Sequence, residues 1–242
     1  MLLAAGLGTR LRPLTFNTPK CLVEINGEKL LINWLNKLVE IGCDEVLVNT
    51  HYLSSKVEKA IKEWNNSNLK VTISYEKKLL GTAGTLRENL GFFYNSDILL
   101  IHADNYTKLN LLDFLNSFYL RNKKCLMSMV TFQTDNPEKC GIVKTDSEGI
   151  LQEYYEKIPN PPSNIANGAI FAFDENFLDF FSLMPPVYND FCADIVPQLK
   201  GKIQTYFTNT LFIDIGTPKS LKSAREFSKL NTIVDPEEFK DY

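Results

Sequence analysis

Apolar and polar positions along this chain follow two periods that alternate. Leu30, Leu31, Trp34, Leu35, Leu38 and Val39 recur at three- and four-residue spacing, which predicts an amphipathic helix closed by Gly42. Glu45 to Asn49 then predicts a strand, Val57, Ile61 and Trp64 a second helix, and Val71 to Tyr75 another strand. Ile98-Leu99-Leu100-Ile101 is apolar without a break, as in a strand buried on both faces of a parallel sheet. Leu2 to Ala4 reads as a short first strand. From Leu126 onward the strands shorten, at Met127 to Phe132, Gly141 to Thr145, Leu151 to Tyr155, Ala169 to Phe173 and Ile203 to Phe207. A turn at Pro159-Asn160-Pro161-Pro162 interrupts them. Phe177, Phe180, Phe181 and Leu183 predict a helix, as does Ile195 to Leu199. The fold class expected is α/β: a doubly wound, mostly parallel, Rossmann-like sheet with a mixed subdomain from the second half. One domain over residues 1–242 is the economical division, with halves at 1–125 and 126–230 and a tail at 231–242 whose acidic end is expected to fray.

Composition narrows the partners. The chain has 242 residues, 44% hydrophobic and 23% charged, with a formal net charge of −3, so it lacks the basic excess that generic nucleic-acid binding needs. Any anion must be met by a few placed cations. Five scattered cysteines without a C-x-x-C pair predict reduced thiols rather than a disulfide framework or a zinc site. The two histidines, His51 and His102, are too few for a three-histidine metal centre and fall at predicted strand ends. No apolar run approaches a membrane span and the start lacks the features of a signal peptide, so no membrane partner and a cytoplasmic location are expected.

The densest chemistry lies near the start, in Leu2-Leu3-Ala4-Ala5-Gly6-Leu7-Gly8-Thr9-Arg10-Leu11-Arg12-Pro13-Leu14-Thr15, followed by Pro19-Lys20. An apolar strand breaks into a small-residue loop whose amides can approach phosphates, and fixed cations follow at Arg10 and Lys20. A Walker A loop would need Lys-Ser/Thr after the second glycine, and none stands there. A dinucleotide fingerprint would need a third glycine where Leu11 stands and a helix where Pro13 and Pro19 forbid one. The string resembles the signature G-x-G-T-R-x-x-P-x-T-x(n)-P-K of the sugar-1-phosphate nucleotidylyltransferases. That likeness implies a glycosyltransferase-A-type fold and a nucleotidyl transfer from an NTP to a sugar 1-phosphate. Leu3, Ala4, Ala5, Gly6, Gly8, Thr9 and Arg10 then hold the nucleotide, Arg10 and Lys20 are catalytic cations, and Arg12 is a candidate third.

Further motifs extend the resemblance to about residue 230. Asp104 follows the buried strand 98–101, at the carboxyl edge where α/β sheets bind ligands, and matches the family's Gly-Asp metal position with Ala103 for glycine. Phe212-Ile213-Asp214-Ile215-Gly216-Thr217-Pro218 resembles W-x-D-x-G-T-P, so Asp104 and Asp214 are the implied Mg²⁺ ligands. Glu76 to Thr85 resembles E-x-x-x-L-G-T-A-G, the wall of the nucleobase pocket. There Gly81 admits close backbone approach, Thr82 is placed to cap the following helix, and the Glu76 carboxylate matches the paired donors of guanine rather than uracil or thymine. GTP is therefore the expected nucleotide, with uridylyl and cytidylyl transfer as alternatives. On the sugar-phosphate side the likeness implicates Asn105, Gly141, Glu156, Lys157, with Ile158 where proline is usual, and Asn167. Relatives carry two or three more residues before the first strand, and some a C-terminal β-helix. Neither stands in this chain, so a bifunctional acetyltransferase is not expected. A homodimer is possible within the class, and a catalytically silent NTP-binding subunit is the alternative outside it.

Overall fold

The first hundred residues build the parallel part of the sheet. In this computed structural model, which describes residues 1–230, β1 (Leu2–Leu3) ends in the glycine loop. Three short 3-10 turns follow, Thr9–Leu11, Leu14–Phe16 and Lys20–Leu22, and Gly8 enters the first at φ 62°, in the left-handed region that suits glycine. No α-helix forms there, as the prolines dictate. The hairpin β2 (Glu24–Ile25) and β3 (Glu28–Lys29) leads into α1 (Leu30–Glu40), which buries Leu30, Leu31, Trp34, Leu35 and Leu38. Then come β4 (Glu45–Thr50), α2 (Ser54–Trp64), β5 (Lys70–Tyr75), α3 (Thr82–Glu88) and β6 (Ile98–His102). β1 pairs in parallel with β4 on one side and β6 on the other, and β5 extends the sheet beyond β4.

The second half adds β7 (Asn105–Thr107), α4 (Leu111–Tyr119), β8 (Met127–Gln133), β9 (Gly141–Thr145), β10 (Leu151–Glu156) and β11 (Ile165–Phe173). They are followed by α5 (Glu175–Ser182), a π turn at Phe191–Ile195 with a 3-10 turn at Val196–Leu199, β12 (Ile203–Thr208), β13 (Phe212–Asp214) and α6 (Pro218–Leu230). β11 starts four residues earlier than its hydrophobic run predicts. It is the joint of the sheet: its far end runs antiparallel to β6 and β8, and its near end reaches β9, so nine strands form one mixed sheet. The apolar residues along β11 explain its burial, because Ile170 and Ala172 face the cluster under α1, α4 and α6 while Phe171 and Phe173 face α5. Among the described residues no helix is long and apolar enough to cross a membrane, and all five cysteines are free thiols.

One ion pair fastens the second layer. Asp174 caps α5, accepting from the Asn176 amide at 3.1 Å, and its other oxygen meets Arg121 Nη2 at 2.5 Å. Arg121 lies over the Phe118 ring at 4.0 Å and donates to the carbonyls of Phe118 and Cys125. Its side chain is 15% exposed, so an unpaired charge there is costly. Asp174→Ala removes both cap and counter-ion and is expected to destabilise the protein by about 3 kcal/mol. Asp174→Asn keeps a capping oxygen and should lose clearly less. Urea unfolding of the two variants measures the difference, and equal losses would show that the cap contributes nothing.

Candidate functional site

The carboxyl ends of β1, β4 and β6 open onto a cavity of about 220 Å³. Its lining includes Leu3, Ala4, Ala5 and Gly6 of the first loop, Glu76, Gly81 and Thr82 of the 76–85 segment, and Lys20 and Asp104. Eight residues expected to act on the nucleotide or its phosphates are thus brought together with Asp104. Gly8, Thr9 and Arg10 lie farther along the loop, outside this lining.

Lys20 is the organising charge. It is 9% exposed, and Nζ donates to Asp104 Oδ2 at 2.5 Å and to Asp214 Oδ1 at 3.1 Å. The antiparallel pairing of β7 with β13 sets Asp214 opposite Asn105, and the Ile215 amide donates to the Asp104 carbonyl at 3.1 Å, so two distant carboxylates share one ammonium. Burial works against the charged lysine, but Asp104 and Asp214 overcome it and raise its pKa. Burial likewise works against the Asp104 carboxylate, and the Lys20 charge with its hydrogen bond holds it below the usual carboxylate range. Arg10 stands at the rim, its Nη2 4.0 Å from Asp214 Oδ2. Gly216 lies close beside them: a Cβ there would come within 2.7 Å of Arg10 Nη2 and displace the guanidinium. Among the described residues no three His, Cys, Asp or Glu side chains converge as a metal centre. Two hard carboxylates fit a cation that takes its remaining ligands from water and phosphates, as Mg²⁺ does.

Four sequence expectations change on the structure. Glu76 is 3% exposed, and its carboxylate is already engaged: Oε1 accepts from Asn49 Nδ2 at 2.8 Å and Thr85 Oγ1 at 2.6 Å, and Oε2 from the Leu80 amide at 3.0 Å. It ties β4, β5 and α3 together rather than presenting an open edge to a base. Thr82 does not cap α3; its hydroxyl accepts from the Phe191 amide at 2.6 Å, and the Asn189 carbonyl accepts from the Ala83 and Gly84 amides instead. Asn105 is buried, with Nδ2 donating to the Gly168 carbonyl at 2.9 Å and its own carbonyl accepting from Trp34 Nε1 at 2.9 Å, so it joins elements instead of facing a sugar phosphate. Arg12 also departs: its guanidinium lies over the Phe16 ring at 5.1 Å and lines a separate groove against α6.

Across β7 from the carboxylates lies a second polar cluster. The Tyr154 hydroxyl donates to Glu156 Oε2 at 2.6 Å, Glu156 Oε1 pairs with Lys157 Nζ at 2.5 Å, and Asn167 Nδ2 donates to Tyr154 Oη and Cys192 Sγ, each at 3.3 Å. Asn167 Oδ1 accepts from the Ala169 amide at 2.8 Å. Gly141 faces this group, and a Cβ there would sit 1.9 Å from Tyr154 Oη, which no side chain permits. Lys157 and Ala169, beside this cluster, adopt left-handed backbone at φ 49° and 51°, uncommon for residues with a Cβ. Tyr154, Asn49, Asn189 and Cys192 were not singled out from sequence. Only Asn49 left a signal, as the polar break in an otherwise apolar strand.

Comparisons with known proteins identify the family. The family described as Nucleotidyl transferase matches residues 1–230. The catalytic subunit beta of mannose-1-phosphate guanylyltransferase from Drosophila melanogaster is 31% identical over 229 residues, covering 90% of this chain and 59% of that protein. The mannose-1-phosphate guanylyltransferase of Mycobacterium tuberculosis is 25% identical over 223 residues, covering 90% and 61%. The chain therefore spans about three fifths of the length of these relatives. Among solved structures, HddC from Yersinia pseudotuberculosis superposes with a TM-score of 0.78 at 24% identity, covering 94% of this chain and 97% of that one, and it has also been solved in complex with GMP-PN. With a family match that runs from the glycine loop through both carboxylates to the end of α6, the chain belongs to the nucleotidyl transferase family.

Proposed function

We propose that the protein transfers a guanylyl group from GTP to a sugar 1-phosphate, with mannose 1-phosphate as the leading acceptor, giving a GDP-sugar and pyrophosphate. The observation that carries this reading is the meeting of Lys20 with Asp104 and Asp214 at the edge of a cavity lined by the glycine loop. The named relatives support the choice of GTP and mannose 1-phosphate. In the reaction a phosphate oxygen of the sugar attacks the α-phosphorus, a new P–O bond forms, and the bond to the bridging oxygen of pyrophosphate breaks. Both reactants are anions, so alignment and charge neutralisation supply most of the catalysis. The loop amides from Ala4 to Gly8 and the Arg10 guanidinium receive the triphosphate. Lys20 reaches the region where the two phosphates meet. Asp104 and Asp214 would hold Mg²⁺, which when bound neutralises charge shared between the phosphates. Glu156, kept in place by Tyr154, accepts from sugar hydroxyls, and Lys157 meets the sugar phosphate. With Glu76 engaged inside the fold, the backbone between Leu79 and Gly81 is left to read the base.

Pyrophosphate release from GTP, UTP, CTP and dTTP with a panel of sugar 1-phosphates tests the reading. GTP with mannose 1-phosphate is expected to turn over best, and a preference for UTP or CTP would replace the guanylyl assignment. Lys20→Ala should lower kcat by about 10²–10³, because a cation aimed at developing charge in a desolvated site is worth several kcal/mol. Steady-state kinetics beside a thermal melt distinguishes that loss from unfolding. Glu76→Gln should instead destabilise the fold by about 1–3 kcal/mol, since one of its two carboxylate faces becomes a donor opposite a donor. Urea unfolding reads the loss, and the order of preference among the four nucleotides should not change.

A further inference from the structure

Lys20 occupies the position between the two carboxylates that a divalent cation would need. Lys20 is 9% exposed and its ammonium lies 2.5 Å from Asp104 Oδ2 and 3.1 Å from Asp214 Oδ1, whereas the side chains of Asp104 and Asp214 are 34% and 54% exposed, and Asp104 lines the cavity. The three side chains together carry one net negative charge, and Arg10, 4.0 Å from Asp214 Oδ2, offsets that charge in turn. A site so neutralised offers a free divalent ion little attraction. A triphosphate changes the balance. It brings several negative charges and oxygens that accept from an ammonium as well as a carboxylate does. Lys20 can then exchange one acceptor for another and release the carboxylates at little cost.

We propose that Lys20 closes the metal site of the empty enzyme by serving as the resident counter-ion of Asp104 and Asp214, and that the nucleotide's phosphates draw it away, so that metal and nucleotide load together. This rests on the functional reading above for the phosphate donor and for Asp104 and Asp214 as the metal's ligands; that Lys20 bridges the two carboxylates is ion-pair geometry. It gives Lys20 a positioning role distinct from its contact with substrate.

The test is binding of Mn²⁺ to the nucleotide-free protein, read from the EPR signal of the unbound ion. The wild type should bind weakly. Lys20→Met and Lys20→Gln, which leave the two carboxylates without their ammonium, should bind at least tenfold tighter, and Lys20→Arg, which keeps the charge, should stay near the wild type. Adding Asp214→Asn to Lys20→Gln should abolish the gain. Because removing Lys20 also leaves like charges facing each other, Mn²⁺ should raise the Tm of Lys20→Gln more than that of the wild type, a measurement that survives a weakened fold. Equal Mn²⁺ affinity in wild type and Lys20→Met, tight or weak, would overturn the proposal. Absence of turnover with every NTP and sugar phosphate would instead overturn the functional reading and leave the metal measurement to stand on its own.

Discussion

Three charges drawn from positions 20, 104 and 214 meet within hydrogen-bond distance, and much of the architecture serves that meeting. Asp104 is delivered by the carboxyl end of β6, where an α/β sheet exposes its loops. Asp214 arrives through a two-stranded pairing whose register fixes it against Asn105, and Asn105 is anchored in turn by Trp34 of α1 and Gly168 of β11. Lys20 has no α-helix to carry it; the prolines of the preceding loop confine the chain to short 3-10 turns, and the last of these places the lysine. A displacement in any of three separate elements would leave a partly buried charge without its partner, so the fold and the site constrain each other.

The polar residues around the cavity divide by how many of their hydrogen-bonding groups the protein itself consumes. Asn167 spends both amide protons, on Tyr154 and Cys192, and its oxygen accepts from Ala169. Glu156 receives one contact on each oxygen, from Tyr154 and Lys157, and each oxygen retains a lone pair for a ligand. Glu76 is further committed, with three donors on a carboxylate that hardly meets solvent. Residues that look alike in a motif therefore differ in function: Glu156 is available to a ligand, Asn167 orients its neighbours, and Glu76 holds the pocket wall in shape.

That distinction also marks how far the sequence could be read. The hydrophobic periods located α1 and α2 because each buries one face and leaves the other to solvent, and unbroken apolar runs located β4 and β6 because both of their faces are covered. The glycine loop, Lys20, Asp104 and Asp214 were legible because each stands in a motif that resembles the family's signature. The pairing of β7 with β13 was not, since three-residue strands leave no period to detect. Nor were the roles of Glu76, Thr82 and Asn105, because a donor from Leu80, Phe191 or Trp34 reaches them only through tertiary contact, and a carboxylate or amide in a motif does not show who already occupies it.

A chain with a formal charge of −3 that receives a triphosphate must attract it locally, against its own average field. Salt makes this possible: beyond a Debye length of about 8 Å at physiological ionic strength, exposed charges are largely screened, and the nearest cations decide. The two principal cations are arranged in depth. Arg10 is exposed over 67% of its side chain and, on the reading proposed above, would meet incoming phosphate first, while Lys20, 10% exposed by the same measure, is held by carboxylates and would commit only when phosphate is close. An exposed guanidinium keeps its hydration and binds weakly, which favours rapid exchange; a buried ammonium makes few contacts, but strong ones. Attraction at the rim and commitment at depth are thus separated between two residues ten positions apart in sequence, and the proline-bearing 3-10 turns between them set that separation.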